Sequence, residues 1–180
     1  MHPVILPDDN FKNVLLKKTG LQLQCLKDGG GLPANYNSLE VSLAISNQCY
    51  NFVLAVLNNA RPVLEKLATQ YSLALVSNFY GNIETVLKEF GIRKYFGEII
   101  ESSVVGIRKP DPAIFALGVK RLGLKPEEVV VIGDSYKKDI FPAKQTGCRT
   151  IWLKGAGWDG DGSGTADFII TDFSDLKMLL

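Results

Sequence analysis

From Arg61 onward the chain alternates short apolar runs with helical segments that end at a glycine, and this order limits the fold more than any other feature. Pro62 suits the first turn of a helix over 62–70, with Val63, Leu64 and Leu67 on its inner face. A strand over 73–77 follows, then a helix over 83–90 closed by Gly91, then a short strand over 98–101. The next helix, 112–122, closes at Gly123; a strand at 129–132 leads to a helix over 139–146 closed by Gly147, and another strand occupies 150–153. Residues 168–171 read as an edge strand, and a last short helix begins at Ser174. Strands alternating with short helices are parallel and joined by right-handed crossovers. The predicted fold class is α/β over residues 59–180, a doubly wound parallel sheet with helices on both faces.

Residues 1–58 have another character. Asn and Gln are frequent, glycines at 29–31 break the pattern, and no clear strand emerges. Segments 11–18 and 39–57 read as helices, the second with Leu39, Leu43, Tyr50, Val53, Leu54 and Leu57 at helical spacings. The expected organisation is a helical segment, 1–58, ahead of the α/β core. A chain of 180 residues, 46% hydrophobic and 22% charged, can bury one full core beside such an appendage. A net charge of +1 gives no electrostatic case for nucleic acid or for an anionic membrane. No apolar run approaches the roughly 18 residues of a membrane span, and the N-terminus lacks the basic-then-apolar order of a signal peptide, so a cytoplasmic location is expected. Oligomeric state is not encoded in any readable feature.

Cys25, Cys49 and Cys148 are odd in number and share no C-x-x-C spacing, which argues against disulfides and thiolate zinc and predicts buried small hydrophobes. The single histidine, His2, lies in a terminal segment, which argues against Ser-His-Asp and Cys-His catalysis. Chemistry therefore rests on Asp, Lys and Ser.

Three strand ends carry such groups. The apolar run 129–132 ends at Gly133, and Asp134 then occupies the carboxyl end of the strand, where open α/β sheets bind ligands; Asp139 follows at the start of the next helix. Two acids there suit an oxygen-loving divalent cation, magnesium first, although a turn with an Asp N-cap reads the same way. Ser77 and Asn78 end the first strand and offer donors to a phosphate or carboxylate oxygen, or form ordinary turn chemistry. Lys109 sits in R-K-P-D-P, where Pro110 predicts extended backbone and a stiff presentation of the ammonium; a solvated surface lysine is the plain alternative.

Together, S-N after a strand, K-P roughly thirty residues on and a strand ending in G-D-S-x-x-x-D resemble the haloacid dehalogenase (HAD) superfamily of hydrolases. Residues 61–153 match its order of elements. The resemblance implies a HAD-like Rossmannoid core and a helical cap contributed by the N-terminal residues. It implies that Ser77 and Asn78 bind phosphoryl oxygens and that Lys109, the one assigned catalytic residue, neutralises phosphate and nucleophile. Asp134 would be the magnesium ligand and Asp139 the second acid. Within the family Asp134 favours phosphatase over dehalogenase, with a small phosphorylated metabolite as partner. Charge compensation and equatorial donors are the parts phosphoryl transfer needs beside an in-line nucleophile.

The family's first motif, an apolar strand ending in D-x-D, is not found upstream of Arg61. In V-I-L-P-D-D-N, aligning Asp9 as acid/base puts Pro7 at the nucleophile, and using Asp8 leaves Asn10 as the second acid. A Pro-Asp-Asp turn before the helix at Phe11 is the alternative. The motif-one strand would lie between the 73–77 and 129–132 strands, so its loss leaves backbone groups to be paired there, by residues 4–6, by closure of the two edges, or by an opening segment shortened away. Two functions stay open: a magnesium-dependent phosphatase, and a non-catalytic phosphate- and metal-binding module.

Three weaker signals complete the reading. Residues 159–167, D-G-D-G-S-G-T-A-D, imitate a calcium loop but put Ile170 where the bidentate Glu belongs, so a Gly-Asp turn is expected. G-A-G at 155–157 lacks the third glycine of a dinucleotide fingerprint. Trp152 and Trp158 read as core and rim, with no basic stripe beside them.

Overall fold

The computed structural model describes residues 4–33, 35–155 and 166–180; His2, Ala156, Gly157, Trp158 and most of the 159–167 run lie outside them. It comprises two units: residues 1–58 with 80–93, and residues 59–79 with 94–180.

The first unit is helical. Helix α1 (Phe11–Asp28) starts where the Asn10 side chain accepts the Asn13 N–H. It runs ten residues past the predicted end because Gly20, which interrupts the apolar pattern, costs only about 1 kcal/mol inside a helix. Thr19 Oγ1 lies 2.6 Å from Ser42 Oγ and 3.1 Å from Ser46 Oγ, so buried hydroxyls satisfy one another where α1 meets α2 (Ser38–Gln70). Residues 4–6 form no strand. Asp9 is buried, and the Leu6 N–H and Lys17 ammonium both donate to its Oδ2. These bonds hold its carboxyl below the usual carboxylate range. The segment is fixed to α3 (Ile83–Glu89): Asn82 Nδ2 donates to the Asp9 carbonyl at 2.7 Å and Thr85 Oγ1 to the Pro7 carbonyl at 2.7 Å. Phe11, Tyr50 and Phe90 stack in a cluster with centroids 5.4–6.5 Å apart. Leu39 and Leu43 are exposed; of the cysteines, all expected to be buried, Cys25 and Cys49 are exposed and only Cys148 is buried, and burial pushes its thiol up.

Helix α2 is one helix through Pro62, not the two predicted. An interior proline costs about 3 kcal/mol; burial of Val63, Leu64 and Leu67 just beyond it offsets that cost.

The second unit is α/β with parallel strands. Strand β1 (Ala74–Ser77) pairs with β2 (Glu98–Glu101), Ser77 opposite Glu101. After the single-turn α4 (Ser102–Val105) and α5 (Ala113–Leu122), β3 (Val130–Gly133) pairs with β4 (Arg149–Leu153), and β4 with β5 (Phe168–Ile170). A π-turn (Tyr136–Ile140) and the short α6 (Phe141–Gln145) replace the single helix predicted at 139–146, and α7 (Leu176–Leu179) ends the chain.

Side chains alternate across the strands as a two-faced sheet requires. Ala74, Val76 and Val131 pack with Ile114, Phe115 and Val119 of α5, whereas Leu73 and Ile132 pack with Val63, Leu67 and Leu176. The parallel sheet is in two parts: among the described residues β1–β2 and β3–β4–β5 are not paired with each other, so the two edges have not closed on one another. A cleft of about 470 Å³ lies between β1 and β3, lined by both strands and by side chains from either helical layer. Asp167 fastens the return into β5, accepting from Lys144 Nζ at 2.7 Å and from the Thr150 N–H at 2.7 Å; these bonds hold its carboxyl below the usual range.

Candidate functional site

Lys109 is positioned by Asn78. The Asn78 Oδ1 accepts the Lys109 N–H at 2.9 Å and its Nδ2 donates to the Lys109 carbonyl at 3.0 Å, so one side chain clips both backbone groups as a neighbouring strand would. The Lys109–Pro110 peptide bond is cis. From this fixed backbone the ammonium donates to Asp139 Oδ1 at 2.7 Å and to the Val76 carbonyl at 3.3 Å. Both partners are largely buried, the side chains 17% and 7% exposed. An ion pair this sheltered is held in geometry by its neighbours, and either partner alone would be a costly buried charge. Asn78 thus reaches the site through Lys109, while Ser77 ends β1 half-buried.

Asp139 is fixed from the other side as well, since Ser135 N–H donates to its Oδ2 at 3.1 Å. The π-turn makes this possible. Both Asp139 N–H and Ile140 N–H reach the Ser135 carbonyl, at 2.8 and 3.3 Å, and Ser135 Oγ caps the Lys138 N–H. Such turns carry an extra residue that re-aims a side chain. Gly133 leaves the room: a Cβ there would stand 2.3 Å from the Asp139 Cβ. Sequence inspection reads Gly133 only as the end of a strand, and a regular helical phase cannot reveal the π-turn.

Asp134 differs from Asp139. It is exposed, its carboxylate has no donor among the described residues, and its backbone carbonyl accepts the Trp152 indole N–H at 3.0 Å. Trp152 is buried, as expected of a core residue, but its hydrogen bond to this turn is not legible in the sequence. Lys109, Asp134 and Asp139 all line one end of the cleft between β1 and β3.

Among the described residues no cluster of three His, Cys, Asp or Glu side chains could hold a metal by itself. Magnesium does not need one, because it keeps several waters and takes one or two carboxylates. An outward carboxylate on a turn anchored by Trp152 fits that demand. Asp139 offers only the lone pairs left over from Lys109 and Ser135.

A lysine–carboxylate pair and a second, exposed acid lie near the carboxyl ends of two strands, the place where open α/β sheets bind their ligands. The chain belongs to the haloacid dehalogenase-like hydrolases: that family's model matches residues 24–147, about two thirds of the sequence. It is 40% identical over 91 residues to a glyceraldehyde 3-phosphate phosphatase of Methanocaldococcus jannaschii, covering 50% of this chain and 40% of that protein. It is 34% identical over 83 residues to a phosphoserine phosphatase of Thermus thermophilus, covering 46% of this chain and 33% of the relative. A HAD phosphatase from Thermococcus onnurineus has a similar crystal structure, with TM-score 0.58 at 34% identity over 66% of this chain and 54% of that one. The chain spans less than half the length of these curated relatives.

Proposed function

We propose that this chain carries the phosphate- and magnesium-binding part of a phosphatase acting on a small phosphorylated metabolite. The observation that carries the reading is the Lys109 ammonium, clipped by Asn78 and paired with Asp139 at the same cleft end as the exposed Asp134. Lys109 would meet a phosphoryl oxygen with its remaining N–H, compensating charge from a position that needs no reorganisation. Ser77 and Asn78 would bring the donors at the end of β1 to the other phosphoryl oxygens. Magnesium, held by Asp134 with Asp139 behind it, would supply further charge compensation for the phosphoryl group. The phosphatase relatives support hydrolysis of a phosphate ester over the dehalogenation of a haloacid.

A second reading, a phosphate- and metal-binding module without turnover, is favoured by one specific observation. Asp9, the nearest counterpart to a motif-one acid, is buried in the helical unit and engaged by Leu6 and Lys17. Hydrolysis of p-nitrophenyl phosphate in magnesium separates the two. Turnover that falls at least ~100-fold in Asp134→Ala and Lys109→Ala supports the phosphatase. Absence of turnover with magnesium-dependent phosphate binding retained supports the module, and turnover unaffected by both substitutions removes the site assignment.

A further inference from the structure

Strand pairing stops one residue short of Asp134. In the β3–β4 ladder Gly133 stands opposite Trp152, so the Asp134 carbonyl is the first to leave the sheet. The side chain of Trp152 takes it up, its indole N–H donating to that oxygen at 3.0 Å. The other end of the same peptide unit is also held, because the Ser135 N–H donates to Asp139 Oδ2 at 3.1 Å. Asp139 Oδ1 in turn accepts from Lys109 Nζ at 2.7 Å. One peptide group therefore links the indole to the ion pair, and a peptide that accepts at its carbonyl is polarised into a better donor at its N–H. The indole is itself fixed. Trp152 is buried, the Tyr136 ring lies 5.6 Å from it, and the Lys154 ammonium lies over it at 5.4 Å from the centroid, within range of a cation–π contact. Loss of the indole bond would free the Asp134 carbonyl and with it ψ of Asp134, so the turn that carries the exposed carboxylate would no longer be fixed from the β4 side.

We propose, on the reading that Asp134 binds magnesium, that Trp152 is a positioning residue of the site: by holding the Asp134–Ser135 peptide it aims the Asp134 carboxylate at the cation and keeps Asp139 fixed against Lys109. Its indole acts through a backbone carbonyl rather than through a side chain of the site. Groups one step removed from a metal ligand typically change metal affinity by roughly 10–100-fold when they are lost.

Trp152→Phe keeps an aromatic ring in the core and removes the N–H. Calorimetric titration of the full chain with magnesium alone is expected to show affinity at least ~10-fold weaker in this variant than in the unsubstituted chain. Ile151→Val, a smaller side chain at the adjacent buried position, is expected to leave the affinity unchanged. Hydrogen exchange in the unsubstituted chain gives a measurement that does not depend on a variant folding: magnesium is expected to slow exchange of both the Ser135 amide and the Trp152 indole N–H. Equal magnesium affinity in Trp152→Phe and the unsubstituted chain, an equal loss in Ile151→Val, or a magnesium-bound chain in which neither proton slows overturns the proposal. With any of these, magnesium binding that is lost in Asp134→Ala would leave the metal assignment standing and remove only the role of Trp152. An unsubstituted chain that binds no magnesium removes both.

Discussion

Gly133 and Asp139 lie side by side in the site, and this decides what each may be. A Cβ at 133 falls 2.3 Å from Asp139 Cβ and 2.7 Å from its Cγ, neither of which is the far end of a flexible chain. Gly133→Ala must therefore push the π-turn away and loosen the Lys109 ion pair. The expected loss is about 1–3 kcal/mol in urea unfolding, with weaker phosphate binding alongside it; unchanged values in both would show that the turn yields freely. Lys109→Met poses the complementary question, because it leaves the Asp139 carboxylate buried beside a methylene chain. That single change should cost about 3–5 kcal/mol, whereas the double change Lys109→Met with Asp139→Leu should regain most of it while abolishing phosphate binding. Equal destabilisation by the single and double variants would contradict a coupled buried pair.

Elements were legible in the sequence in proportion to how local their causes are. The strand at 98–101 and the helix closed by Gly123 were readable because periodicity and a positive-φ glycine, here at 68°, act within one turn of chain. Pro62 misled for the same reason: a local rule starts a new helix at a first-turn proline, where burial of Val63 and Leu67 continues the existing one. Asn78, Lys109, Asp134 and Asp139 are singled out by motif spacing, and the structure brings the last three to one cleft with Asn78 bonded to Lys109. Their connections could not be read that way, since the Asn78 clip on Lys109 and the Trp152 bond to Asp134 join residues 31 and 18 positions apart. The β5 return offers a pH test of such a connection. Asp167 titrates below its usual value in the folded state because of Lys144 and Thr150, so its stabilisation is complete above about pH 4 and is lost as pH falls through its folded value. Asp167→Ala should lower Tm by about 2–4 °C at pH 7, a gap that narrows and closes below pH 4; a gap constant with pH would assign the effect to packing.

At the scale of the whole chain, an α/β unit with helices on both faces is built around a sheet in two parts. A closed cavity of about 470 Å³ would cost on the order of 10 kcal/mol at about 24 cal/mol per Å³. That upper bound rivals the whole stability of an ordinary domain. The cleft is open rather than closed, so it carries less than that bound, and Lys109, Asp134 and Asp139 are among the residues that line it. The central claim is that this end of the cleft binds phosphate and magnesium together. Calorimetric titration of the full chain with inorganic phosphate, with and without magnesium, tests it without requiring a nucleophile. Phosphate binding strengthened at least tenfold by magnesium, the gain lost in Asp134→Ala and the binding itself lost in Lys109→Ala, is the predicted result. Binding indifferent to magnesium, or retained in both variants, would contradict it.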